Sequence, residues 1–190
     1  MSDGSTGEIK RLLRVDLDTL QLALDNTSYS ISYYLDLETG NVVTIMEESQ
    51  HEWEALRDTW ESSGRTSDIE TFLQETETPE WMIEAMRDAA EVEDGYGSRY
   101  IEVPRARPDE SYRDMEDFAE TTQDELLRRR LREALDGKRP FRRFKDTLLS
   151  SQQERERWFQ FKDERLMQRA FDWLESLGIT AIIDDNAIED

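Results

Sequence analysis

Cysteine is absent from this 190-residue chain, histidine occurs once, proline four times and glycine eight times. Without cysteine there is no disulfide frame, no zinc knuckle or iron–sulfur cluster, and no thiol nucleophile. A single histidine, His51, is a poor supply for imidazole-ligated metals or for a Ser-His-Asp relay. No apolar run approaches the roughly 20 residues that span a bilayer, and Met1 to Gly7 is small and polar where a signal peptide would be apolar. The expectation is therefore a cytoplasmic protein with no membrane partner. Positive charge is also short: 24 Lys and Arg face 45 Asp and Glu, a formal net charge of −21. Such a surface repels polyanions, which argues against bulk binding of nucleic acid.

What the chain does have is aromatic. Seven Phe, six Tyr and five Trp accompany a hydrophobic content of 36%, too much for a disordered chain and enough for a thin, aromatic-weighted core. Leu17, Leu20 and Leu24 fall at helical spacing behind a cap at Asp16. Ile31, Tyr33, Leu35 and Leu37 alternate with Ser32, Tyr34 and Asp36, the pattern of a strand with one buried face. Glu38-Thr39-Gly40-Asn41 then supplies a turn before Val42 to Met46, which makes a hairpin. The polar stretch from Glu47 to Glu77 reads as one or two weakly amphipathic helices, and Thr78-Pro79-Glu80 as the start of another whose face holds Ile83, Met86 and Ala90. Tyr100 to Val103 reads as a third strand.

Beyond it the pattern is helical. Tyr112, Met115 and Phe118 share one helix face. Thr122 to Glu125 and Ser151 to Glu154 both fit capping boxes, with Gly137 and Pro140 as stops between them. Phe141, Phe144 and Leu148 fall on another shared face, and Thr180 to Ile183 reads as a short final strand. The fold class is thus α+β: a small antiparallel sheet with a hairpin near residues 30–46, packed against several helices, with a helical C-terminal half. A flexible N-terminal segment, 1–14, one domain over 15–183 and an acidic flexible tail, 184–190, complete the expected organisation.

The stretch Tyr34-Leu35-Asp36-Leu37-Glu38-Thr39-Gly40, the strand Tyr100 to Pro104, Met115-Glu116-Asp117-Phe118, and above all Phe141-Arg142-Arg143-Phe144-Lys145-Asp146 followed by Trp158 and Phe161 resemble the bacterial uncharacterised protein family numbered 0158. The order matches as well, across most of residues 30–179. This chain departs by a long polar stretch between the hairpin and Thr78 and by its acidic tail. The resemblance implies an intracellular α+β protein and carries over no catalytic residue or cofactor.

The charge is unevenly spread. Residues 1–98 sum to −17, residues 99–169 to +2 and residues 170–190 to −6. Within the middle block, Leu126 to Lys145 holds nine cations against Glu133 and Asp136. This basic segment carries the candidate site: Lys138, Arg139, Phe141, Arg142, Arg143 and Lys145, where guanidinium groups offer a phosphate or carboxylate two parallel hydrogen bonds beside aromatic rings. Two readings stand there. Either the segment takes an anion, or its Phe residues are core and its Arg residues pair with the abundant carboxylates. Arg128-Arg129-Arg130 spreads around a helix and is a solvated face unless it joins that segment.

Acidic neighbours such as Glu47-Glu48, Glu91 to Asp94 and Asp184-Asp185 are expected by chance among 45 carboxylates. Asp36 to Asn41 mimics a calcium loop but suits a hairpin better, and Gly95 to Ser98 fits no nucleotide loop. The reading is a non-catalytic binding or regulatory module with no cofactor, whose partner is a protein or a phosphate-bearing ligand. A metal-dependent hydrolase or transferase acting on a phosphorylated substrate, and a one-faced nucleic-acid binder, are the alternatives.

Overall fold

A computed structural model describes residues 11–62, 64, 69–76 and 78–183. The expected acidic tail, 184–190, and the first ten residues lie outside them. Among the described residues the chain runs β1 (Arg11–Leu13), α1 (Leu17–Leu24), β2 (Ile31–Asp36), β3 (Val42–Met46), α2 (Glu47–Ser62), α3 (Ile69–Gln74), α4 (Glu80–Asp94), β4 (Tyr100–Glu102), α5 (Pro108–Thr121), α6 (Glu125–Leu135), α7 (Pro140–Leu148), α8 (Gln152–Ser176) and β5 (Ile179–Ala181). The α+β class is as the sequence indicates. No described helix is long and apolar enough to cross a membrane.

The hairpin forms where the alternation places it. Tyr34 pairs with Val43 across β2 and β3, and β4 adds antiparallel to the other edge of β2, with Tyr34 opposite Glu102. The turn is organised by Asp36, a buried carboxylate whose Oδ1 accepts from the Glu38 N–H at 2.8 Å and whose Oδ2 accepts from the Thr39 hydroxyl at 3.0 Å. This is an Asx turn, a side chain standing in for backbone. Gly40 sits at φ 81°, and a methyl there would overlap the carbonyl oxygen of Arg14. The turn thereby locks onto the segment after β1, where the Asp16 N–H donates to the Gly40 carbonyl at 3.1 Å.

Two expectations are corrected here. Arg11 to Leu13, assigned to the flexible segment 1–14, forms β1 and pairs in parallel with β5 in a separate two-stranded sheet, Arg11 opposite Ile179. Second, β2 buries both faces rather than one. Leu35, with Tyr33 and Leu37 beside it, enters a core with Leu20, Leu24, Val103, Ala170 and Leu174. Tyr34 enters another, with Ile45, Trp53, Leu73, Met82 and Met86. A strand side chain points to opposite faces at each step, so one strand here serves two cores.

A third core unites α5, α6, α7 and α8 through Phe118, Leu131, Phe144, Leu148 and Trp158. The helix α8, about 37 Å long at 1.5 Å per residue, links cores: its first half gives Trp158 to the third and its second half gives Leu166, Ala170 and Leu174 to the first. Its N-terminus is capped as expected, Ser151 accepting from the Glu154 N–H at 3.4 Å. The other proposed capping box is shifted. Asp124 caps α6, accepting from the Leu126 and Leu127 N–H groups, while Thr122 is buried and donates its hydroxyl to the Phe118 carbonyl. Likewise Pro79, not Thr78, stands at the N-cap of α4 without a side-chain bond.

Candidate functional site

The basic segment is the corner between α6 and α7. Leu127, Leu131, Ala134 and Leu135 turn inward from α6 and leave Arg128, Arg129 and Arg130 to the outside, as their spacing requires. Arg132 is held against α5, its Nε donating to Oε1 of Glu120 at 2.7 Å and Nη2 to Oε2. That hydrogen bond, aided by the nearby charge of Arg128, lowers the Glu120 pKa below its ordinary value. The end of α6 is tied to the same helix by the Tyr112 hydroxyl, which donates to the Leu135 carbonyl at 3.2 Å.

An aromatic cluster supplies the base. The Phe144 ring meets Trp158 at 5.0 Å and Phe118 at 6.2 Å, both edge to face, and Phe118 meets Trp158 at 5.2 Å. Such pairs each contribute roughly 0.5–1.5 kcal/mol beyond burial. Arg157 clasps the cluster from α8: its guanidinium lies 4.5 Å over the Phe118 ring while Nη2 donates to the Thr122 hydroxyl at 3.2 Å. With Phe144 and Leu148 fixed inward, the 100° step of a helix puts Arg142 and Asp146 outermost, Arg143 on one flank, and Phe141 with Lys145 on the other. Phe141 is 39% exposed and is not core, contrary to the shared face expected for it with Phe144 and Leu148.

Arg139 takes the N-cap position of α7 at φ 59°, ψ 54°, the left-handed region, and no side chain caps the helix. Among the described residues it is the one non-glycine with positive φ. Pro140 has no N–H to satisfy, so the open donors of the first turn are the Phe141 and Arg142 amides; the Arg143 N–H closes onto the Arg139 carbonyl at 3.1 Å. The Arg143 guanidinium covers Gly137, where a methyl would collide with its Nη1. This use of Gly137 was not visible in a sequence that marked it only as a helix stop.

Whether carboxylates neutralise the corner is answered unevenly. Many arginines elsewhere are matched, among them Arg157 with Glu154, Arg165 with Asp117 and Arg169 with Asp114 at 2.6–2.7 Å, while Arg128, Arg129, Arg130 and Arg155 have no carboxylate within 4.0 Å among the described residues. At the corner, Arg142 approaches Asp146 at 3.7 Å, both groups largely exposed. Lys138, Arg139, Arg143 and Lys145 have no carboxylate within 4.0 Å among the described residues. The structure thus brings Arg139, Arg143 and the open amides to one end of α7, with Lys138 adjoining in the chain, and sets Lys145 with Phe141 on the other flank. Phosphate is suited to such an end, where the helix dipole, free amides and guanidinium forks act together.

Among the described residues no group of three or more His, Asp or Glu stands close enough to hold a metal ion. His51 is exposed, and Trp158 with Phe161 belongs to the core cluster.

Comparison with known proteins adds kinship. The pattern of the uncharacterised protein family UPF0158 matches residues 71–189. The UPF0158 protein PA5073 of Pseudomonas aeruginosa is 25% identical over 169 residues, covering 89% of this chain and 86% of the relative. No solved structure matches.

Proposed function

We propose that this chain, which belongs to the uncharacterised protein family UPF0158, is a non-catalytic binding module that takes a phosphate-bearing ligand at the α6–α7 corner. One observation carries the reading: among the described residues Lys138, Arg139, Arg143 and Lys145 stand together without a carboxylate within 4.0 Å, in a chain of 45 carboxylates where more than half of the other described arginines are ion-paired. The Phe141 and Arg142 amides, which have no hydrogen-bond acceptor among the described residues, add the partial positive charge of a helix start. Against the −21 of the whole chain, long-range attraction of a polyanion is opposed. A short-range, bidentate grip on one phosphate group is not, because salt confines the repulsion of distant charges to about 10 Å.

The test is titration of the full chain with inorganic pyrophosphate, followed through the amide resonances of Phe141 and Arg142. Saturable shifts are expected, and Arg139→Gln with Arg143→Gln should weaken them about tenfold, the worth of a charge-assisted hydrogen bond. Both side chains are solvent-facing, so the variant folds. Equal binding by parent and variant overturns the assignment, as does a parent that shows no saturable shift.

A further inference from the structure

A cavity of about 370 Å³ opens where the three-stranded sheet meets α2 and α4, and it shares no residue with the α6–α7 corner. Its floor is apolar: Tyr34, Ile45, Trp53 and Val92 are all buried. Its edge is acidic: Glu54, Glu93 and Glu102 line it and are exposed to solvent. No Lys or Arg is among the lining residues. Tyr96, 61% exposed, stands against Tyr34 edge to face at 6.2 Å and walls one side.

The three carboxylates are not equivalent. Glu93 accepts from the Trp53 indole N–H at 2.7 Å and also pairs with Arg57. Glu54 accepts from neutral Gln50, at 3.2 Å. The Glu102 side chain has no hydrogen-bond or ion-pair partner among the described residues and lies directly across the β4–β2 pair from Tyr34. Burial first, and then the charge of Glu102, raises the pKa of the Tyr34 hydroxyl against the opposing effects of its hydrogen bond with Ser32 and the charge of Arg105. Two carboxylates with no ion-pair partner among the described residues therefore border a hydrophobic floor.

That combination selects a ligand by exclusion. An anion is repelled, a neutral hydrocarbon leaves the acidic edge unpaired, and a bare metal ion gains nothing from the floor. A hydrocarbon ending in a positively charged nitrogen satisfies both, because aromatic rings attract cations as carboxylates do. We infer that this cavity binds an alkylammonium ion, its chain on Tyr34, Trp53 and Val92 and its nitrogen at the edge formed by Glu54 and Glu102. The ion is either a free amine or the side chain of a lysine on a partner.

Titration of the full chain with n-butylammonium, 1-butanol and butyrate, followed through the Trp53 indole N–H resonance, tests this. Butylammonium alone is expected to give a saturable shift. Glu54→Gln and Glu102→Gln, both at exposed positions, should each weaken it about two- to fivefold, and Tyr96→Ala by a similar factor. Asp163→Asn, on α8 and outside the cavity, should leave it unchanged and so measures the non-specific pull of the acidic chain. An equal response to butanol, or equal effects of Asp163→Asn and the two cavity variants, overturns the inference. Nα-acetyl-lysine methylamide then separates the sources: tighter binding than butylammonium indicates a partner's lysine, and weaker binding a free amine.

Discussion

Arg99 reaches across 63 residues of sequence to grip Asp36 with both ends of its fork, Nε to Oδ1 at 3.0 Å and Nη2 to Oδ2 at 2.7 Å. Asp36 is 3% exposed, and the same carboxylate organises the hairpin turn. One side chain therefore fixes both the turn between β2 and β3 and the approach to β4.

The pair makes stability depend on acid. The Arg99 hydrogen bonds foremost, helped by the Glu38 N–H and the Thr39 hydroxyl and opposed by burial, lower the Asp36 pKa from 3.8 to about 2. A depressed pKa means that the folded state binds its proton less readily than the unfolded one. The stabilisation is complete above about pH 4 and is lost as the pH falls toward about 2, with a total of about 2 kcal/mol. Urea unfolding of the parent and of Asp36→Asn across that window should show the two stability curves converging as the pH drops. Curves that stay parallel would remove the claim.

Glycine contacts can be separated from glycine dihedrals by comparing two positions. Gly40 and Gly97 both have positive φ, 81° and 74°, but only Gly40 abuts another backbone, the Arg14 carbonyl. Gly97→Ala should cost about 1 kcal/mol, the penalty of a left-handed alanine. Gly40→Ala should exceed it by at least about 1 kcal/mol, because backbone must move as well. Thermal and urea unfolding of the two variants measure the difference directly.

Much of the fold was legible because its periods are long enough to count. The hairpin, the Asp16 and Ser151 caps and the inward face of α6 all follow from local spacing. The pairing of β1 with β5 did not, since Arg11-Leu12-Leu13 and Ile179-Thr180-Ala181 are three residues each and show no period. Thr122 fitted a capping pattern, yet Asp124, two residues nearer the helix, has the shorter and stronger acceptor and wins the first-turn amides. At the candidate site the cations were countable but their partners were not: a charge sum of +7 cannot say that Arg132 faces Glu120 while Arg143 lies over Gly137. Phe141 shares the spacing of Phe144, but a residue in the first turn of a helix lies at the rim of the core.

Buried charge at the α5–α8 contact gives a third prediction. Arg169 Nη2 donates to both oxygens of Asp114, at 2.8 and 2.7 Å, and the Asp114 side chain is 7% exposed. Removing the cation alone strands a buried carboxylate, so Arg169→Met should destabilise by about 3 kcal/mol. Adding Asp114→Leu to it should recover a large part of that loss, since an apolar pair needs no solvation. Chemical denaturation of the two single variants and the double variant closes the cycle, and additive losses would contradict a coupled pair.

Arg139 poses the sharpest conflict between stability and binding. A left-handed backbone costs a side-chain-bearing residue about 1–2 kcal/mol, while glycine gives back about 0.5–1 kcal/mol through the freedom of the unfolded chain. Arg139→Gly should therefore raise stability by about 0.5 kcal/mol, an outcome uncommon for any substitution. Arg139 makes no ion pair with a described residue to offset that gain. If the arginine is kept for its charge at the start of α7, the same variant should bind pyrophosphate more weakly while melting at a higher temperature. Lower stability together with unchanged binding would instead make Arg139 a structural residue, and would move the anion contact to Arg143 and the Phe141 amide.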